Sequence, residues 1–435
     1  METVSNLQLN PARTVRGELQ LPGDKSISHR AALIAALASG VSTFTNFSTA
    51  ADCGSTLSCL RQLGVQIARD ANRVTIQGLG QLHKPLTVLD CGNSGSTIRM
   101  LAGALAAQDF ACELSGDSSL NSRPMARIIE PLELMGARIE STSGKPPIII
   151  HGTKAVTRLS YKLPVASAQV KSAILFAALS AEGQTQVHES SLSRDHTERM
   201  FNGFGVEVTT DNDLTVTLNG PARLVGGDMT IPGDVSSAAY FIAAAMLLPQ
   251  SELVIERVGL NPTRSEFISV LRSWGAEISS GNVHDERNEP IGTVQVRGGI
   301  DRSSNSSARR LEKSKIPALI DELPLLAVVG TQLDGGIEIR DAGELRHKET
   351  DRLRATAENL RRMGAEVIEQ ADGLVVSGPT QLRGARVDSY GDHRIAMAFS
   401  VAALVADGPT EILDADCVKI SFPEFFELLK SITTN

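Results

Sequence analysis

One pattern recurs along the chain and limits what it can fold into. An amphipathic helical stretch is followed by a glycine, an alternating strand, a polar turn and a second strand. The first copy is Leu60-Arg-Gln-Leu-Gly64-Val-Gln-Ile67 followed by Val74-Thr-Ile-Gln-Gly78. It returns at 132–139 with 148–152, at 201–208 with 216–220, at 271–278 with 294–298 and at 360–367 with 374–378; a partial sixth, 425–430, lies near the end. Apolar residues at helical spacing give one buried stripe. The repeated glycine suits a left-handed C-cap that turns the chain into a strand. The strand, turn and strand read as a hairpin.

A second pattern precedes each copy: a small polar turn, then an apolar helix that is usually alanine-rich. Its instances are 25–34, 92–101, 167–175, 233–241, 317–326 and 391–398. These helices are apolar nearly all round, which predicts burial. Their starts carry Ser, Asn, Asp, Lys or Arg, and such groups must meet water, each other or a ligand. The repeating unit is two helices plus strands, about 70 residues long, used six times. At 435 residues the chain exceeds one ordinary core, so six units predict two domains of three. Two stretches fall outside the pattern. Residues 281–290 read as a polar, charged turn, and 301–315 as an exposed loop whose Arg302, Arg309, Arg310, Lys313 and Lys315 are solvated.

The formal net charge of −8 argues against non-specific nucleic-acid binding, and 4% aromatic residues leave little for base stacking. Small cationic clusters in an acidic chain instead suggest local anion pockets. Five cysteines without a Cys-x-x-Cys pair, and no His-x-x-x-His spacing, predict a reducing compartment and no zinc site, and neither a metal nor a cofactor is expected. The first residues lack the features of a signal peptide, and the longest apolar run, 238–248, is too short to span a bilayer. The expectation is a cytoplasmic protein with no membrane partner.

Several clusters could carry chemistry. Pro22-Gly-Asp-Lys-Ser-Ile-Ser-His-Arg30 is a turn entering a helix, with two cations and two hydroxyls at its start. It reads either as an anion site or as a capped surface helix. Gly92-Asn-Ser-Gly-Ser-Thr-Ile-Arg99 lets an anion approach the backbone, but it is neither a P-loop nor a dinucleotide fingerprint. Glu344-Leu-Arg-His-Lys-Glu-Thr-Asp-Arg352 is the densest charged cluster. Its Lys348 and Glu349 could serve as acid and base, and Lys348 with Arg352 would form a like-charged i,i+4 pair that an anion relieves. Asp321 and Glu322 interrupt an apolar run, as helix caps or as a general base. Asp392-His-Arg394 opens another buried-type helix, as a structural ion pair or a ligand site.

Together, in order, these motifs with Ser122-Arg-Pro124 and Ser167-Ala-Gln169 resemble the 5-enolpyruvylshikimate-3-phosphate synthase family from about residue 10 to the end. The resemblance implies an α/β fold, an inside-out α/β barrel with two domains each of three βαβαββ units. One domain would comprise 1–20 plus 233–435 and the other 21–232, with crossings near Gln20 and Pro232. It implies transfer of the enolpyruvyl group of phosphoenolpyruvate to the 5-hydroxyl of shikimate 3-phosphate, releasing phosphate, on the route to chorismate and the aromatic amino acids. By position, Lys25, Ser26, Arg30, Ser167, Ala168, Gln169 and Ser193 would bind shikimate 3-phosphate. Gly95, Arg123, Arg352 and Arg394, with Lys25, would hold phosphoenolpyruvate. Asp321, Lys348 and Glu349 would handle protons, and domain closure would assemble the set around both substrates. Residues 167–172, 194–198 and 261–264 look like the family's second class, which tends to tolerate glyphosate, whereas Gly95 is retained where a methyl would crowd that inhibitor. Ile420 stands where some members carry lysine. A monomer is expected. The alternatives are the UDP-N-acetylglucosamine enolpyruvyl transferase, whose loop cysteine has no counterpart here, and a non-catalytic scaffold of the same architecture.

Overall fold

A computed structural model describes residues 5–301, 303 and 309–434, and Arg302 of the predicted loop lies outside them. The chain divides into two compact units. Unit 1 is Met1–Leu21, Gly233–His284 and Ile291–Asn435; unit 2 is Pro22–Pro232 with Asp285–Pro290.

Six small sheets carry the repeat, each of three to five strands. In one, Leu89–Asp90 runs parallel to Ala111–Ser115, with the helix Gly95–Ala106 as the crossover. Ala111–Ser115 then pairs antiparallel with Lys145–His151, which closes a hairpin with Arg138–Thr142. The helix Ala126–Leu134 precedes that hairpin, so the unit reads βαβαββ. A parallel pair needs such a crossover, whereas the hairpin needs only a turn. The repeated glycines make the turns out of the second helices: Gly64, Gly136, Gly205, Gly275 and Gly364 all have φ between 88° and 105°. A side chain would be strained there.

Two of the sheets are composite. Thr14–Gln20 precedes the helix Lys25–Leu37, yet it runs parallel to Glu252–Gly259. Met229–Thr230 precedes the helix Val235–Leu247, yet it runs parallel to Ser39–Thr45. Each strand takes the place the other would fill in an uninterrupted unit. The sixth sheet borrows as well: Arg386–Asp388 and Thr410–Leu413 are joined by Leu7–Leu9 from the start of the chain.

Each unit closes its own core. The helices Lys25–Leu37, Gly95–Ala106 and Ala168–Ala178 are buried in unit 2, and Val235–Leu247, Leu323–Gly330 and His393–Leu404 in unit 1. Small residues let these helices touch closely. A methyl on Gly103 would lie 2.1 Å from the Ala173 carbonyl oxygen. Larger rings pack within the core as well, as where buried Phe176 meets Phe201 edge-on at 5.3 Å.

The two stretches outside the repeat fold differently from their predicted states. Residues 281–290 are no simple turn. They form the end of the long hairpin Glu277–Glu286 and Glu289–Arg297 with a two-residue turn at 287–288, and their tip clusters with unit 2. There Arg287 stacks 5.1 Å from the Phe204 ring centroid, and buried Glu289 meets His196 Nδ1 at 2.7 Å. In 301–315, Arg309 is buried and donates to the Asp334 carbonyl, and Arg310 pairs with Glu338 at 2.7 Å. Arg309 is therefore not solvated, whereas Arg310, Lys313 and Lys315 are exposed, as expected of the loop.

Candidate active site

Burial of a helix on all sides leaves its N-terminus as the place where polar groups gather. Five of the six buried helices are capped by a side chain that accepts a backbone N–H: Asp24, Ser94, Ser167, Asp234 and Asp392. The helix Leu323–Gly330 is the exception. Glu322 precedes it without making a cap bond, so capping does not account for Asp321 or Glu322.

In unit 2 the helix starts form two linked clusters. Arg30 is buried and fully engaged: Nε donates to Thr197 Oγ1 at 2.7 Å, Nη2 to Ser172 Oγ at 2.9 Å and Nη1 to the Ser26 carbonyl at 2.9 Å. Burial lowers its pKa to about 10, Glu198 opposing and the nearby Arg194 adding to the shift. It therefore keeps its charge at neutral pH. Lys25 lies nearer the surface, with Nζ 2.9 Å from Asp52 Oδ2. Beneath the Ala168–Ala178 helix start, Lys171 is buried between Glu189 at 2.6 Å and Glu198 at 2.7 Å. Ser193 donates to the other Glu189 oxygen, so its hydroxyl is turned into this ion cluster. Burial, partly offset by Lys171, raises the Glu198 pKa.

The second cluster surrounds Gly95. Arg99 Nη1 donates to Gln169 Oε1 at 2.8 Å, and Gln169 Nε2 donates to Ser96 Oγ at 3.0 Å. Arg123 Nη2 donates to Asn93 Oδ1 at 2.7 Å. A methyl on Gly95 would lie 2.7 Å from Arg99 Nη1 and 3.4 Å from Arg123 Nη1. Two guanidiniums thus flank a backbone that only hydrogen covers. In the sequence Lys171, Arg194 and Glu198 stand out only as parts of the second-class stretches 167–172 and 194–198, and Arg99 only as the end of 92–99, none with a role of its own. A cation in an otherwise apolar buried helix was the available signal for Lys171.

Unit 1 holds the denser charge cluster. Arg352, 2% exposed, donates to Asp392 at 2.7 Å, to Glu349 at 2.7 Å and to Asp321 Oδ1 at 3.4 Å. Burial pulls its pKa down, but Asp392 and Glu349 outweigh this and the net shift is upward. Arg394 donates to the Asp321 carbonyl at 3.1 Å and lies 3.4 Å from Asp321 Oδ2. Buried Arg264 lies 3.8 Å from Asp321 Oδ2 and donates to Ser236 at 2.5 Å. Ser236 in turn donates to Glu322. Burial raises the Glu322 pKa, with Arg264 and Arg394 opposing. Asp321 thus sits among three guanidiniums: Arg352 donates a hydrogen bond to its carboxylate, while Arg264 and Arg394 face it as ion pairs.

The predicted like-charged pair of Lys348 and Arg352 is absent. Lys348 has extended backbone before the helix Arg352–Arg362 and pairs with Glu344 at 3.2 Å. Lys419 is exposed and pairs with Asp416 at 2.7 Å. Among the described residues no group of three or more His, Cys, Asp or Glu could hold a metal, and no helix is long and apolar enough to cross a membrane.

The family model described as EPSP synthase (3-phosphoshikimate 1-carboxyvinyltransferase) matches residues 9–429. The 3-phosphoshikimate 1-carboxyvinyltransferase of Koribacter versatilis (strain Ellin345) is 48% identical over 431 residues, covering 99% of each chain. That of Geobacter sp. (strain M21) is 46% identical over 433 residues, again covering 99% of each. Among solved structures, EPSP synthase from Acinetobacter baumannii superposes with a TM-score of 0.88 at 38% identity, covering 99% of this chain and 98% of that one.

Proposed function

The chain belongs to the EPSP synthase family, and we propose that the two helix-start clusters of unit 2 and the arginine–carboxylate cluster of unit 1 divide the work of its reaction. The enzyme is a transferase that moves the enolpyruvyl group of phosphoenolpyruvate to the 5-hydroxyl of shikimate 3-phosphate and releases phosphate. It serves the shikimate pathway to the aromatic amino acids.

In this reading Lys25, Ser26, Arg30, Ser167, Ala168, Gln169 and Ser193 bind shikimate 3-phosphate. Gly95, Arg123, Arg352 and Arg394 hold phosphoenolpyruvate, with Lys25 touching both. Asp321 accepts the 5-hydroxyl proton, and Lys348 and Glu349 handle protonation at the methylene carbon. The observation that carries the assignment is Asp321 held by Arg264, Arg352 and Arg394. A phosphoenolpyruvate anion that takes Arg352 and Arg394 loosens their hold on Asp321, which then accepts its proton. Guanidiniums already fixed in place also stabilise charge developing on the leaving phosphate without reorganising.

The reading extends to a cytoplasmic monomer of the second class. Its support is a closed core in each unit, five free and buried cysteines, and the burial of Arg264 from the 261–264 motif. A coupled phosphate-release assay with both substrates tests the activity; Asp321→Asn should lower kcat by about 100-fold or more, and an unchanged kcat would remove Asp321 from its role. Inhibition by glyphosate against phosphoenolpyruvate should be intermediate, and full sensitivity would sink the second-class assignment.

A further inference from the structure

Behind the Gly95 loop lies a buried chain of polar groups with no part in the reaction as described. His29, in the helix Lys25–Leu37, places Nδ1 2.7 Å from Thr56 Oγ1, in the helix Ala51–Gln62. Thr56 Oγ1 is 2.7 Å from Thr97 Oγ1, and Thr97 Oγ1 donates to Ser94 Oγ at 2.8 Å. Ser94 also accepts the Thr97 backbone N–H at 3.1 Å, as the cap of the helix that begins at Gly95. All four side chains are fully buried. Among the described residues the remaining imidazole nitrogen, His29 Nε2, meets no hydrogen-bond partner.

The direction of this chain follows from its ends. Thr97 gives its proton to Ser94, so it must receive one from Thr56. Thr56 must then receive one from His29 Nδ1. The reverse order would leave an N–H at Nε2 buried without an acceptor, which costs more than an idle lone pair. His29 is also held neutral, because burial lowers its pKa to about 3. A neutral imidazole has one N–H to give, and here it goes to Nδ1.

We propose that His29 is a positioning residue: its Nδ1–H heads a one-way hydrogen-bond chain that fixes the Ser94 cap and hence the Gly95 loop that receives phosphoenolpyruvate. The inference rests on the assignment of that loop to phosphoenolpyruvate. Three helices are tied through this chain, and only its far end bears on substrate. Loss of its head frees Thr56 and Thr97 to turn, and the cap bond weakens.

The test uses two variants of the whole enzyme. Asparagine places an amide N–H close to the position of Nδ1–H, whereas leucine provides no donor. His29→Leu should raise the phosphoenolpyruvate KM about fivefold to tenfold, the worth of about one hydrogen bond. The shikimate 3-phosphate KM should stay within about twofold, and His29→Asn should restore the first value. Nitrogen-15 imidazole NMR of the unmodified enzyme should show the Nδ1–H form of His29 unchanged from pH 8 to 5. An Nε2–H form, an equal rise in both KM values, or no rescue by asparagine would each overturn the inference. Gly95→Ala separates the two ideas. If it leaves the phosphoenolpyruvate KM unaltered, the loop assignment has failed. If it raises that KM while His29→Leu does not, the positioning role has failed.

Discussion

The buried imidazole of His29 makes a prediction about acid stability that can be worked out in magnitude. Burial lowers its pKa from 6.5 to about 3, with Asp52 opposing and Lys25 and Arg30 adding to the shift. The native state therefore binds a proton more weakly than the unfolded chain. Stability from this group is full above pH 6.5 and falls as pH drops from 6.5 towards 3. Each pH step in that window costs about 1.4 kcal/mol, and the loss between pH 7 and pH 5 is about 2 kcal/mol. Asparagine does not titrate and keeps a donor towards Thr56. His29→Asn should thus lose about 2 kcal/mol less than the parent between pH 7 and pH 5. Urea unfolding at the two pH values measures it, and the parent–variant difference cancels the carboxylates common to both. His29 lies in unit 2, so the effect belongs to the transition that melts that unit. Equal pH dependence in both proteins would refute the reasoning, since it would mean that the imidazole takes up a proton without opening the core.

Lys171→Met leaves Glu189 and Glu198 buried without their cation and should cost about 3–5 kcal/mol at pH 7 in urea unfolding. Part of the loss should return as pH falls, because Glu198, whose pKa burial already raises, then protonates, and a cost below about 1 kcal/mol would mean that the triad relaxes into water. Asp392→Asn keeps an acceptor for the Arg394 N–H cap but takes a carboxylate from Arg352. It should lower kcat/KM by about 100-fold while far-ultraviolet circular dichroism stays unchanged, and near-normal kcat/KM would show that Glu349 and Asp321 suffice to hold Arg352. Gly95→Ala must push Arg99 aside, breaking its bond to Gln169. It should raise the phosphoenolpyruvate KM about tenfold with under about 1 kcal/mol lost in stability, because the displaced atoms end a flexible side chain; a large fall in stability would show that the loop cannot yield.

What could be read along the chain and what could not divides by range. The left-handed turns at Gly64, Gly136, Gly205, Gly275 and Gly364 were legible because a helix C-cap is decided by a few neighbouring residues. The buried helices were legible for the same reason. The exchange of Thr14–Gln20 with Met229–Thr230 was not legible from the repeat itself. Both strands precede helices of one type, and nothing local distinguishes the sheet each will join. The tip of the hairpin near Arg287 and Glu289 was misread because its polar residues find partners far away in sequence, at Phe204 and His196.

The site lies on both sides of this divide. Its location follows from the repeat, since a helix buried on every side has one polar outlet, its N-terminus, and the cap residues are visible in sequence. Its chemistry follows from distant pairings. Asp321 reads as either a cap or a general base until Arg264, Arg352 and Arg394 converge on it, and Lys171 reads as an anomaly until Glu189 and Glu198 close around it. These ions need not have been placed there for stability, because a buried ion pair seldom improves on an apolar pair of the same volume. Their gain is direction. Each guanidinium is fixed by at least one partner before any anion arrives, and a hydrophobic substitute would leave nothing to orient Asp321.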